Sequence, residues 1–293
     1  MSEQFLTRTR ELIHKKILAE ISADSLIDQA MRYSVLSDSK TIRPALVLAS
    51  GELNNNLTKN SLITLATAIE LIHTYSLIHD DLPCMDDDDI RRGKESSHIK
   101  FGEANAILAG DALHDLAFEI ISTDKDMNDA SKIKAVNILA NASGAKGMVL
   151  GQHLDNESEK SKENIDIKSI KKIHTLKTGK LIKAAVEMGQ IESSLNKAEI
   201  NMLLEFGSKI GLAFQIFDDI LDETGETSEL GKRAKSDQKN NKQTYVKIVG
   251  IDESAKIANK LLDESINLID ELRVRDKIEP LKSLAKFMVN RKS

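Results

Sequence analysis

Two clusters of aspartates are the residues best suited to chemistry in this 293-residue chain. The first contains Asp80, Asp81 and the run from Asp86 to Asp89, and it ends a segment that is otherwise largely apolar. Six carboxylates at the C-terminus of a helix repel one another, and the negative end of the helix dipole adds to that repulsion. Divalent cations would neutralise it, and ligands that are all oxygen favour Mg²⁺ over zinc or copper.

The second cluster has the spacing of a helix face. Asp218 and Asp222 are four residues apart, so both carboxylates leave one side of a helix, with Asp219 between them. Two such clusters facing each other would hold several Mg²⁺ ions around one diphosphate, because Mg²⁺ usually completes its octahedron with phosphate oxygens and water. The alternative is a pair of exposed acidic helix ends.

Cationic residues follow both clusters. They are Arg91, Arg92 and Lys94 after the first, and Lys232, Lys235, Lys239 and Lys242 after the second. Each one alone is most simply a solvated surface charge. Together with the carboxylates they suit a polyanion. An EF-hand starting at Asp86 is excluded, because its sixth position is Arg91 where Gly is needed and its twelfth is Ser97 where Glu is needed.

Helices must position these residues. Aromatic residues make up 3% of the chain, and apolar residues recur at helical spacing through most of it. The pattern predicts an all-α fold, one domain over residues 1–293, and no strand. The predicted helices cover residues 3–21, 24–36, 41–53, 59–83, 103–122, 130–154, 166–192, 197–223, 241–249, 252–273 and 276–290.

The composition of the chain limits the classes of partner and the cellular compartment that can be expected. A net charge of −5 leaves no broad basic surface for nucleic acid. The single Cys84 excludes an intramolecular disulfide and, with no Cys/His set at zinc spacing, suits a reducing cytoplasm. The most apolar region, residues 62–78, is interrupted by polar residues such as Glu70 and His73. It therefore predicts a buried core helix and no membrane insertion.

Six motifs in order carry a resemblance to a known family. They are Lys40-Thr-Ile-Arg43-Pro44, the stretch from Tyr75 through Gly93, Phe101-Gly-Glu-Ala-Asn-Ala, Leu108-Ala-Gly-Asp111, Lys177-Thr178-Gly179, and the stretch from Phe214 through Asp222. The chain resembles the trans-prenyltransferases, most closely the bacterial farnesyl diphosphate synthases. The resemblance implies a helical bundle around a central cavity, three Mg²⁺ ions and a homodimer.

The activity implied by the resemblance is the condensation of isopentenyl diphosphate with an allylic diphosphate, dimethylallyl and then geranyl. The allylic diphosphate loses pyrophosphate to give a carbocation, the second substrate attacks it, and the released pyrophosphate takes the proton. Charge on the departing pyrophosphate is then what the site must stabilise. The central catalytic residues implied are Asp80, Asp86, Lys177, Asp218 and Lys232.

The resemblance also assigns ligands. It implies Mg²⁺ binding by Asp80, Asp81, Asp86, Asp218, Asp219 and Asp222. It implies contacts with the allylic diphosphate by Arg91, Lys177, Thr178, Gln215, Lys232 and Lys242. It implies direct binding of isopentenyl diphosphate by Lys40, Arg43, His73 and Arg92. Helix geometry agrees for His73, which lies about 700° before Asp80 and so within about 20° of the same face.

Product length is assigned by the resemblance to Tyr75 and Ser76, the fifth and fourth residues before Asp80. A tyrosine ring about 7.5 Å along the helix from Asp80 would block the chain after a few isoprene units. By rotation Ser76 faces the cavity better, and Tyr75 as a plain core residue is the alternative. A fifteen-carbon product is expected. The other readings are a geranylgeranyl diphosphate synthase, a terpene cyclase, which needs no second diphosphate pocket, and a non-catalytic regulatory homologue.

Three positions depart from the family pattern. Asp38-Ser39-Lys40-Thr41 stands where the family commonly has Gly-Gly-Lys-Arg, Lys235 stands where Gly is usual, and Phe217 stands where a polar residue is frequent. None of them removes an implied metal ligand.

Overall fold

The computed structural model describes residues 2–160, 165–224 and 243–290. The helices of its first half are α1 (Ser2–Glu20), α2 (Leu26–Val35), α3 (Ile42–Asn54), α4 (Lys59–Asp80), α5 (Ser97–Phe101), α6 (Glu103–Ser122) and α7 (Asp129–Ser143). Those of its second half are α8 (Met148–Lys160), α9 (Ile167–His174), α10 (Lys180–Met188), α11 (Lys197–Thr224), α12 (Tyr245–Val249), α13 (Ile251–Asp270) and α14 (Glu279–Asn290). The all-α prediction is confirmed.

A two-stranded hairpin is the exception to that prediction. Strand β1 (Ile90–Arg91) pairs antiparallel with β2 (Lys94–Glu95) directly after the first acidic cluster. Both turn residues are left-handed, with φ of 53° at Arg92 and 74° at Gly93, as a two-residue hairpin requires. The prediction of no strand was wrong here, because two-residue strands are too short to show alternation.

Two predicted helices are divided. The segment 130–154 forms α7 and α8, which are separated by a turn in which the Gly147 amide donates to the Gly144 carbonyl at 2.9 Å. A Cβ at Gly147 would lie 2.0 Å from the Ala142 carbonyl oxygen, so only glycine fits this turn. The segment 166–192 forms α9 and α10, joined by a π-helical turn over Thr175–Gly179. Helix α8 also continues to Lys160, beyond the predicted end at residue 154.

Helix α4 lies at the centre of the packing. It contacts α3 and α6, while α10 packs against both α3 and α11. By length and composition α4 is apolar enough to cross a membrane, but 78% of its most apolar stretch is buried within the fold. This burial agrees with its prediction as a core helix. The acidic C-terminus of α4 lies on the same cavity as the C-terminal half of α11.

Candidate active site

A cavity of about 570 Å³ brings together residues from both acidic clusters. It lies among α3, α4, α8, the π turn and α11. Nine residues proposed from sequence line it: Arg43, His73, Tyr75, Ser76, Asp80, Lys177, Thr178, Gln215 and Asp218. The arrangement of two facing acidic walls follows from the fold, although the chain places these walls more than 130 residues apart.

Asp80 is the carboxylate of the first cluster that reaches the cavity. Burial, together with the neighbouring carboxylates of Asp86 and Asp81, raises the pKa of Asp80 to about 7, although the charges of Lys177 and Arg91 act to lower it. The positive charge that the protein itself places near Asp80 is therefore too small to stabilise the ionised carboxylate fully. A divalent cation would supply it.

Asp81 has a different environment, because Arg91 pairs with it. The Arg91 Nε donates to Asp81 Oδ1 at 2.9 Å, a terminal nitrogen of the same guanidinium contacts that oxygen, and it also lies 3.3 Å from Asp88 Oδ2. The Asp81 side chain is almost fully buried. Two acidic side chains thus fix Arg91 at the start of the hairpin, beside the cavity lining and not within it.

The π turn presents Lys177 and Thr178 to the cavity. Lys177 Nζ lies 2.6 Å from the buried carboxylate of Asp155 on α8. Thr178 Oγ1 donates to Gln215 Oε1 on α11 at 2.6 Å. A turn of π-helix adds one residue to the helical turn and so changes the direction of its side chains, which explains its frequent occurrence at functional sites. Here the π turn directs the side chains of Lys177 and Thr178 into the same cavity.

In the second cluster, only Asp218 lines the cavity. Asp219 is buried and accepts hydrogen bonds from the Tyr245 backbone amide at 2.9 Å and from Gln215 Nε2 at 3.4 Å. His174 Nε2 lies 3.6 Å from the same carboxylate. Asp222 is also buried. In this structure Asp219 therefore joins α11 to α12 and orients Gln215.

A cationic pocket lies beside the acidic walls. Arg43 and His73 line the cavity, and Arg92 lies near both. Burial lowers the pKa of Arg43 to about 10, and burial together with the charges of Arg43 and Arg92 lowers the pKa of His73 well below its usual value. Glu70 is the carboxylate that opposes this charge, 3.8 Å from Arg92. Within the described residues, Arg43 Nε is buried without a hydrogen-bond partner. An anion would supply one.

Aromatic rings close the apolar part of the cavity. Tyr75 packs edge-to-face against His79 and against His114 of α6, with ring centroids 5.7 and 5.1 Å apart. Phe118 continues the stack behind His114. Tyr75 and Ser76 both line the cavity, although rotation along an ideal helix favoured Ser76. The ring reaches the space because it is long, whereas the serine hydroxyl donates back to the His73 carbonyl at 2.9 Å.

Helix α8 supplies lining residues that the sequence reasoning did not single out. They are Met148, Val149, Gln152, His153 and Asn156. Gln152 Nε2 donates to Asn156 Oδ1 at 3.0 Å, and within the described residues its own buried Oε1 accepts no hydrogen bond. The available sequence feature was a polar pair, Gln152 and Asn156, at i and i+4 of one helix.

Without a substrate, the oxygen atoms of the site supply only part of the ligands that a Mg²⁺ ion needs. Among the residues that the structure describes, no group of three or more acidic, histidine or cysteine side chains is close enough to hold a metal ion by itself. Mg²⁺ usually keeps several waters and is bound by one or two carboxylates plus phosphate oxygens. Asp80 on one wall and Asp218 on the other suit that mode.

Several sequence-based assignments fall elsewhere. Lys40 is exposed at the loop before α3, and Asp86 lies beside Asp80 outside the cavity lining, where its backbone amide donates to the Asp80 carbonyl at 2.8 Å. Lys232, Lys235, Lys239 and Lys242 lie outside the described residues.

Comparisons with known proteins agree with this site. The sequence model of the polyprenyl synthetase family matches residues 24–282 of this chain. The chain is 43% identical over 268 residues to farnesyl diphosphate synthase of Escherichia coli, covering 90% of this chain and 88% of the relative. It is 42% identical over 266 residues to geranylgeranyl pyrophosphate synthase 4 of Arabidopsis thaliana, covering 90% and 71%. A solved geranyltransferase of Helicobacter pylori, complexed with magnesium and isoprenyl diphosphate, superposes with a TM-score of 0.80 at 31% identity, covering 99% of this chain and 95% of that one.

Proposed function

Because the chain belongs to the polyprenyl synthetase family, we propose that it is a Mg²⁺-dependent farnesyl diphosphate synthase. At the coarser level it is a prenyl diphosphate synthase of the kind that makes farnesyl or geranylgeranyl diphosphate. The proposed reaction adds isopentenyl diphosphate head-to-tail to dimethylallyl diphosphate and then to geranyl diphosphate. Each addition releases pyrophosphate.

One observation supports the proposal above the others. A single cavity is lined by carboxylates from both acidic clusters, by the cationic side chains of Arg43 and Lys177, and by the rings of Tyr75 and Phe214. Two diphosphates and a short hydrocarbon need these three surfaces. The terpene cyclase alternative has no use for a second cationic pocket, and it is therefore disfavoured by Arg43, His73 and Arg92.

The allylic diphosphate is proposed to lie between Asp80 and Asp218. Asp80 and Asp218 would hold Mg²⁺, expected as three ions, which would supply positive charge to the diphosphate oxygens as the carbon–oxygen bond breaks. Lys177 adds a further charge, and its contact with Asp155 keeps the ammonium group in place. Charge that is fixed before the reaction stabilises the departing pyrophosphate more than the intact substrate, so it lowers the barrier.

Thr178 and Gln215 are proposed to contact the allylic diphosphate beside Lys177. Their mutual hydrogen bond of 2.6 Å fixes both side chains, and Asp219 holds the other end of Gln215. Apolar side chains such as Met148 and Phe214 line the same cavity and exclude water from the carbocation. Capture by the double bond of the second substrate is then favoured over hydrolysis.

The second substrate is proposed to bind through its diphosphate in the cationic pocket of Lys40, Arg43, His73 and Arg92. Burial strengthens the attraction of Arg43 for an anion, since charges interact more strongly away from water. The pyrophosphate released from the first substrate can take the proton from the new product, so no separate general base is required.

A fifteen-carbon product is proposed because neighbouring rings hold Tyr75 in the cavity. Tyr75 is held on two sides by His79 and His114, and this packing keeps its ring across the path of a growing chain. A twenty-carbon product is the second candidate, since a relative of nearly equal identity is named for geranylgeranyl diphosphate.

A homodimer in the cytoplasm is proposed as the working form. Helix α6 exposes Ile107 and Leu108, with 42% and 48% of each side chain accessible. These adjacent apolar residues suit contact with a second copy. Light scattering of the purified protein tests the dimer, and a monomer at micromolar concentration would contradict it.

The decisive experiment is a product assay. Purified protein is incubated with Mg²⁺, isopentenyl diphosphate and either dimethylallyl or geranyl diphosphate, and the products are identified by mass spectrometry. Farnesyl diphosphate from both starters is expected. Failure to extend either starter would refute a prenyl synthase activity, whereas a mainly twenty-carbon product would refute only the proposed chain length.

A further inference from the structure

Side chains tie the loop between α2 and α3 to three neighbouring segments. Asp38 Oδ1 accepts a hydrogen bond from Arg10 Nη1 of α1 at 2.5 Å. Ser39 Oγ donates to Glu70 Oε1 of α4 at 3.1 Å. Ser37 Oγ accepts from Nη1 of Arg92 in the hairpin turn at 3.0 Å. Three consecutive residues therefore fasten the loop to α1, to α4 and to the hairpin.

The loop leads into α3 through a strained residue. Thr41 has a φ of 45°, a left-handed conformation that a β-branched side chain rarely adopts. Its hydroxyl donates to the Leu6 carbonyl at 3.5 Å, a weak contact. Such a conformation persists only where the surrounding structure determines it. Here the tethers of Asp38 and Ser39 lie directly before it, and Arg43 lies two residues after it.

The tether of Ser39 ends on the carboxylate of the cationic pocket, Glu70. Glu70 is 2% exposed and interacts with both Ser39 and Arg92. The loop is thus hydrogen-bonded to the carboxylate that balances the arginines of the pocket. Any movement of the loop would shift Lys40 and would change how Glu70 and Arg92 share their charge.

We propose that Asp38 and Ser39 are positioning residues for the diphosphate of isopentenyl diphosphate. They touch no substrate; they hold the loop so that Lys40 and Arg43 occupy their binding positions before the substrate arrives. A loop with glycine at both positions would have to be ordered on binding, and that lost freedom would weaken affinity. The inference rests on the proposed function, because the pocket takes its ligand from it.

The test compares the two substrates. The double variant Asp38→Gly/Ser39→Gly is expected to raise the KM for isopentenyl diphosphate about three- to tenfold, because the freed loop must be ordered when the substrate binds. The KM for geranyl diphosphate and kcat are expected to change less than about twofold. Ser39→Thr keeps the hydroxyl and is expected to keep the KM.

A matched control tests whether the effect depends on where the two glycines are introduced. Ala23→Gly/Asp24→Gly removes one carboxylate and adds two glycines in the exposed loop between α1 and α2, away from the pocket. It is expected to leave both KM values unchanged. Thermal unfolding is measured for all variants. An unchanged KM for isopentenyl diphosphate in the first double variant would overturn the proposal, as would an equal rise in both KM values with a lowered Tm.

A binding measurement makes the result independent of turnover. Calorimetry without Mg²⁺ measures isopentenyl diphosphate on the cationic pocket alone, and the Asp38→Gly/Ser39→Gly variant is expected to bind about three- to tenfold more weakly than the parent protein. If the parent protein fails to make any prenyl product, the proposed function fails while this comparison still decides the role of the loop. Equal affinities would overturn that role.

Discussion

Replacing Gly151 with alanine tests whether the π turn must stay where the structure places it. Gly151 lies on α8 against the backbone of that turn, and a Cβ there would stand 2.2 Å from the Lys177 amide nitrogen and 2.5 Å from its Cα. Ordinary contact begins at 3.4 Å. Backbone atoms cannot rotate away as a side chain can, so α8 and the π turn must separate by about 1.2 Å.

Two effects of that displacement can be measured. Overpacking of this kind costs about 1–3 kcal/mol of unfolding free energy. Displacement of Lys177 and Thr178 by about 1 Å is expected to lower kcat about 10²-fold, because catalysis depends on their alignment with the reacting atoms. Gly151→Ala is therefore expected to remain folded with a lowered Tm and to lose most of its activity. Steady-state kinetics and thermal unfolding measure the two effects separately.

Gly207→Ala on α11 is the control. Its Cβ would lie 3.2 Å from the Lys183 Cα, so its neighbours need to give only a few tenths of an ångström. Activity within about threefold of the parent protein is expected, since the displacement is small. If Gly151→Ala keeps full kcat, or loses activity only in proportion to its unfolded fraction, the reasoning about the π turn is refuted.

Three other substitutions probe the proposed site. Asp218→Ala is expected to lower kcat about 10²- to 10³-fold with an unchanged Tm, because it removes a charge that acts on the transition state. Unfolding of this variant would indicate a structural role for Asp218. Removal of Mg²⁺ from the parent protein with a chelator is expected to abolish activity. Asp155→Asn is expected to lower kcat/KM about 10- to 100-fold, because Lys177 loses its charged partner; a loss confined to Tm would contradict this. Tyr75→Ala is expected to shift the product from fifteen to twenty or more carbons in the mass-spectrometric assay, and an unchanged product would contradict the role of Tyr75 in chain length.

The acidic clusters could be found from sequence because repulsion is a local property. Asp80 and Asp81 adjoin one another, and Asp218 and Asp222 share a helix face, so the types and spacing of these residues were enough to predict a cation-binding role. The long helices were also predicted, since apolar periodicity extends over many turns in α4 and α11. The roles of individual ligands remain predictions.

Local features that span only two to five residues were not predictable from the sequence. The hairpin at Ile90–Glu95 is too short to show alternation, and the division of residues 130–154 depends on how Gly147 packs against the preceding turn. The π turn at Thr175–Gly179 has no periodicity of its own. Its position is set by contact with α8 through Gly151, which lies 26 residues away in the chain.

The sequence alone predicted helices, oxygen ligands, and a polyanion between two acidic clusters. The tertiary structure alone decided which carboxylates face the cavity. Asp80 and Asp218 line it, while Arg91 pairs with Asp81 and the Tyr245 amide with Asp219. Neighbouring residues on a helix differ by about 100° in direction, so packing against other helices selects one residue of each pair for the cavity and leaves the other to hold the wall together.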